Sequence, residues 1–151
     1  MRSRLTALLT SLSLILFSLL GSAAIASAAD IRGAWAAVLY VLKDGTELPV
    51  EGRIFFTDRD WTVLFFVTQG GEVRRGSGEG GTYTLDGDAL TFRHFYNLSA
   101  GEAVASLPEA PLRMSVREPD AAAEEPCRVE VAERELTLFF PSGNEMRFSR
   151  R

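Results

Sequence analysis

Residues 81–99 read GTYTLDGDALTFRHFYNLS. Tyr83 and Leu85 fall on one side before Asp86-Gly87. Leu90, Phe92, His94, Tyr96 and Leu98 fall on one side after it. A strand sends alternate side chains to opposite faces, so this period of two marks a sheet with a buried face. Gly87 can take the positive φ of a tight hairpin turn, and Asp86 tolerates it. The stretch therefore predicts a hairpin, and it carries the only histidine of the chain.

The same pattern recurs on both sides. Ile31 to Leu42 is apolar throughout, with Trp35, Ala37, Leu39 and Val41 alternating against Ala34, Ala36, Val38 and Tyr40. Further strands are predicted over 53–57, 61–68, 112–117, 127–131, 135–140 and 145–149, separated by Asp-, Gly- and Pro-rich turns. Gln69 to Gly81 holds six glycines and reads as a mobile loop. Ala100 to Pro111 reads as a flap or a single helical turn, and Glu118 to Pro126 as an acidic loop. About nine short strands and no convincing helix predict an all-β fold, a single antiparallel up-and-down barrel of about 8–10 strands. Closure would also remove the exposed edges of such apolar strands.

The first 28 residues have a different character. Arg2 and Arg4 precede an apolar run from Leu5 to Leu20, and Ala26-Ser27-Ala28 supplies small residues at −3 and −1. This is the anatomy of a secretory signal peptide cleaved near Ala28. The expected product, residues 29–151, is a barrel domain in the periplasm or outside the cell, without stable membrane insertion after cleavage. One lysine against fifteen arginines, with abundant alanine, reads as the codon bias of a GC-rich bacterial genome. Residues 29–151 carry a net charge near −6. That balance argues against nucleic acid and anionic membranes as partners.

The chemistry-bearing residues are few. Cys127 is the only cysteine, which rules out an intramolecular disulfide, and its alternation with Val129 and Val131 reads as a buried structural thiol. Gly76 to Gly81 matches G-x-G-x-x-G formally, but a strand follows where nucleotide phosphates need a helix N-terminus. One histidine supports neither a nucleophilic triad nor a His/Cys metal site. Asp58, Asp60, Asp86 and Asp88 sit in turns, and no acidic residue falls on a strand position read as interior. The expectation is a protein without catalysis, metal or cofactor.

Gly33-Ala34-Trp35 on the first strand, the meander of hairpins and the ending LTLFFPSGNEMRFSR resemble the small bacterial lipocalin-like domains of the calycin type. The resemblance implies a late arginine packed on Trp35 across the barrel floor. Arg147 is the first choice and Arg150 the second. The inward aromatic set, with His94 and Tyr96 as polar handles, predicts a small apolar or amphipathic ligand held by Trp35, Tyr83, Phe92, His94, Tyr96 and Met114. The bulk of the inward residues favours a filled or nearly filled interior. The alternative function is an envelope interaction module or inhibitor acting through its loops.

Overall fold

The computed structural model describes residues 30–150; the leader read over residues 1–28 lies outside them. Nine antiparallel strands form one sheet: β1 Gly33–Val41, β2 Glu47–Phe56, β3 Asp60–Gln69, β4 Glu72–Asp86, β5 Ala89–Gly101, β6 Ala110–Val116, β7 Ala123–Ala132, β8 Glu135–Phe139 and β9 Glu145–Ser149. The order is β4-β3-β2-β1-β9-β8-β7-β5-β6, and an additional β4–β5 pairing closes the ring. This is the up-and-down antiparallel β-barrel expected from the alternation. A three-residue 3₁₀ turn, Pro119–Ala121, is the only helical element among the described residues.

One wall of the ring is built in two pieces. The lower half of β5, Ala89 to His94, pairs with β7, and its upper half, Tyr96 to Gly101, pairs with β6. β6 and β7 thus act as a single strand interrupted by residues 117–122. β8 pairs with β7 only from Arg128 onward. Above that point the backbone from Ala123 to Pro126 has no strand neighbour on the side away from β5. The ring has a gap there, opposite the β8–β9 turn.

The core is the barrel interior. Trp35, Ile54, Leu90, Phe92, Leu136 and Leu138 are almost fully buried. Among the described residues no α-helix covers the apolar positions that the alternation puts outside, and Val38, Phe55 and Leu64 are about half exposed. The glycine-rich segment is not a loop. Gly76, Gly78 and Gly80 lie within the long β4, hydrogen-bonded to β3 and β5 on either side. Glycine weakens a strand on its own, but two flanking ladders hold this one in place. The acidic loop is likewise shorter than expected, because β7 already begins at Ala123. Above the barrel, Val104 and Leu107 exchange backbone hydrogen bonds at 3.0 and 2.9 Å, and Val104 is buried in the core. Arg75 Nη1 donates to the carbonyls of Glu102 and Pro108, both at 2.6 Å, and fastens this segment over the barrel end.

At the other end, Gly33 has φ +104° and lets the chain turn into β1. Trp35 Nε1 donates to the carbonyl of Ile31 at 2.7 Å. The guanidinium of Arg150 lies 3.8 Å from the centre of the Trp35 ring and also donates to the Arg32 carbonyl. Arg147, the first choice on sequence, is not that arginine. It alternates with the inward Met146 and Phe148, so it points out and pairs with Glu47 and Glu145. Arg150→Ala should cost about 1–2 kcal/mol through the lost cation–π contact and hydrogen bond. Arg147→Ala should stay within about 0.5 kcal/mol, as exposed ion pairs contribute little. Chemical denaturation of both variants measures the difference; equal losses would contradict the assignment.

Candidate functional site

Two β-bulges decide which side chains face the barrel's upper interior. In β1 the register shifts between Ala36 and Leu39. Trp35 and Ala37 point in below the shift, and Tyr40 and Leu42 point in above it. Strict alternation puts Tyr40 on the opposite face from Trp35; the bulge brings both to the same side. In β5 the extra residue is Phe95, since Gly81 pairs with His94 and Gly80 with Tyr96. A bulge of this kind reverses which face each later residue joins. Tyr96 therefore turns out, 44% exposed, with its ring over Gly80. Asn97 turns in beside Glu79. Met114, 73% exposed on β6, also lies outside.

The upper interior is hollow. A cavity of about 590 Å³ is walled by Ile54, Trp61, Val63, Phe65, Leu138 and Met146, with Tyr40 and Phe140 higher up. It also reaches Ala123 to Pro126 on one side and Pro141 and Ser142 on the other, the two borders of the gap in the ring. Of the six residues expected to hold a ligand, Phe92 and His94 line this cavity. Trp35 and Tyr83 pack into the floor, where the Tyr83 hydroxyl donates to the Thr57 carbonyl at 2.7 Å. Tyr96 and Met114 are outside, for the reason given by the bulge. The expected filled interior gives way to a packed lower half and a hollow upper half.

His94 is the centre of a polar cluster on one wall. Its Nδ1 lies 3.0 Å from a carboxylate oxygen of Glu79, on β4, and its Nε2 lies 3.2 Å from Glu125, on β7. The strands on both sides of β5 each contribute one acid. Ser77 Oγ donates to the other oxygen of Glu79 at 2.9 Å. The hydrogen bond to Glu125, followed by that to Glu79, outweighs burial and raises the His94 pKa to about 9. Burial alone would raise Glu79, but the bonds from His94 and Ser77 prevail and hold it below the usual carboxylate value. At neutral pH the cluster is an imidazolium between two carboxylates, with one net negative charge. Trp61 stands edge-on to the imidazole at 5.1 Å, and its indole N–H is buried without a hydrogen-bond partner.

This arrangement sets what the site can do. An imidazolium that donates from both nitrogens has no lone pair for a metal or for general-base work. Burial pushes the thiol of Cys127, below Glu125 on β7, up to about 12, which disfavours the thiolate at neutral pH. The arrangement combines an apolar cavity with a few placed polar groups.

No family model matches this chain, and no curated protein or solved structure is significantly similar to it. The site stands on its own geometry.

Sequence reasoning missed Glu79, Glu125, Tyr40 and Trp61 as site residues. Signals for the two acids were present. Stepping back by twos from Tyr83 leads through Gly81 to Glu79, and one such step from Cys127 leads to Glu125. Reading both segments as loops stopped the count too early.

Proposed function

We propose that this chain is an exported, non-catalytic binding protein of lipocalin-like type, which holds a small amphipathic molecule in the upper half of its barrel. One observation carries the reading: a cavity of about 590 Å³ with apolar walls and a single polar cluster. Ligand sites typically combine such a volume, within ~300–1,000 Å³, with a small number of oriented polar groups. Trp35 stacked under Arg150 at the floor supports the lipocalin-like assignment, since the resemblance implies that pairing. The leader would direct the chain to the periplasm or beyond the cell, and N-terminal sequencing of the secreted product should begin near Ala29.

The neutral fluorophore N-phenyl-1-naphthylamine tests the reading. It should bind saturably, one per chain, and quench the fluorescence of Trp61. Val63→Trp, which places a large ring in the cavity, should weaken the probe at least tenfold while leaving the fold intact by circular dichroism. Absence of saturable binding to the unmodified chain defeats the proposal.

A second reading, action through the outer surface, draws on the apolar outer side of β5 and β6. Leu98, Leu112, Met114 and Val116 are 47–87% exposed there. Patches of this kind mark protein contact sites. A monomer that retains no partner across them in cross-linking from intact cells would count against it.

A further inference from the structure

We propose that the cavity selects an organic cation, a primary ammonium on an apolar or aromatic body, and rejects the carboxylate of the same shape. The inference rests on the cavity being a ligand site and names the chemistry of its occupant. The first support is the charge balance of the wall. Glu79, Glu124 and Glu125 line the cavity, and no Lys or Arg does so among the described residues. Glu124 is matched by Arg93 at 3.6 Å. The other two share one imidazolium, which leaves one negative charge uncompensated inside an apolar enclosure.

The second support is the inventory of donors and acceptors. An anionic head group would need cationic donors, but both His94 nitrogens already face carboxylates at 3.0 and 3.2 Å. Arg75, in the smaller neighbouring cavity with Tyr40 and Phe65, commits its Nη1 to two carbonyls. On the acceptor side, Glu125 receives only His94, through one oxygen, and its side chain remains about one-third exposed. Its second oxygen is open to an ammonium, which offers three donors and no acceptor.

The third support is the shape of the remainder. Tyr40, Phe65, Trp61 and Phe140 line the cavity, and aromatic rings attract cations and flat apolar bodies alike.

The experiment is displacement of bound N-phenyl-1-naphthylamine by a matched trio: 2-(1-naphthyl)ethylamine, 2-(1-naphthyl)ethanol and 3-(1-naphthyl)propanoate, at pH 7. The amine should bind at least tenfold more tightly than the alcohol, and the propanoate more weakly than both. Glu125→Gln should bring amine and alcohol within about threefold of each other. Equal binding of the trio by the unmodified chain, or preference for the propanoate, overturns the inference even if the variant misfolds. An amine preference that survives in a folded Glu125→Gln variant also overturns it. Failure of the neutral probe itself would instead remove the broader reading of a ligand cavity.

Discussion

Gly81→Ala is expected to destabilise the barrel by about 3 kcal/mol or more, lowering Tm by roughly 10 °C or beyond. A Cβ at Gly81 would stand 1.9 Å from the carbonyl oxygen of Arg93 and 3.1 Å from the backbone nitrogen of Phe95. These are main-chain atoms of the bulge in β5, and they cannot swing aside as a side chain would. The chain must open the bulge or part from β4. Either movement displaces His94, which pairs with Gly81 across the ladder. The neighbouring glycines calibrate the effect. A Cβ at Gly78 would meet Leu64 Cδ1 at 3.6 Å and the Val63 carbonyl oxygen at 3.9 Å, both ordinary contacts, so Gly78→Ala should change stability by less than about 1 kcal/mol. At Gly80 the obstacle is the Tyr96 side chain, its hydroxyl oxygen at 2.1 Å, an exposed group able to rotate away, so an intermediate loss is expected. Thermal unfolding of the three variants gives the order directly. A Gly81→Ala protein as stable as Gly78→Ala would show that the bulge does not depend on this close approach.

The second large effect is a dependence of stability on pH. The His94 pKa stands at about 9 in the folded chain against an ordinary 6.5. Because the folded value is the higher one, its stabilisation is complete below pH 6.5 and is lost as pH rises through about 9. Glu79 works in the opposite direction. Its folded pKa lies below its ordinary 4.5, so its contribution is present above that value and fades as pH falls. Stability should therefore peak between about pH 4.5 and 6.5. Cys127, raised from 9 to about 12, adds a loss that begins only near pH 9. Between pH 7 and 8.5 the His94 proton is the one that differs between folded and unfolded chains. The expected loss there is about 1.5 kcal/mol, read from urea midpoints. His94→Gln should flatten that window to within about 0.5 kcal/mol while lowering stability at pH 6, since the two acids would then face each other unpaired. A slope unchanged in His94→Gln would place the titrating group elsewhere.

Both effects show where reading from sequence reaches and where it stops. The period-two alternation of Trp61, Val63, Phe65 and Val67, and of Leu136 and Leu138, was enough for strands, faces and a closed sheet. Side chains with strong preferences kept their side. What alternation cannot show is a change of phase. Nothing in AVLYV or HFYNL announces that Val38 or Phe95 is an extra residue, because a bulge arises from the pairing of two strands rather than from one alone. That one property moved Tyr40 in and Tyr96 out. The glycine-rich segment erred for a related reason. Its propensity is poor, yet β3 and β5 supply ladders on both sides, and tertiary pairing overrides local preference. The two acids followed that segment and the acidic loop into the wrong class. His94 was legible as the inward polar residue; its partners were not, since they come from strands 15 and 31 residues away.

The bulge at Phe95 makes parity, rather than composition, the variable that separates the two halves of this barrel. Removing Phe95 would shift every later residue of β5 by one step, sending Tyr96 and Leu98 inward and Asn97 and Ser99 outward. The floor around Trp35 would not change, because β5 below His94 keeps its phase. A single-residue deletion would thus replace Asn97 and Ser99 on the inner side of upper β5 with Tyr96 and Leu98. In this architecture, the inner face of the upper half can be rewritten by counting, leaving the base intact.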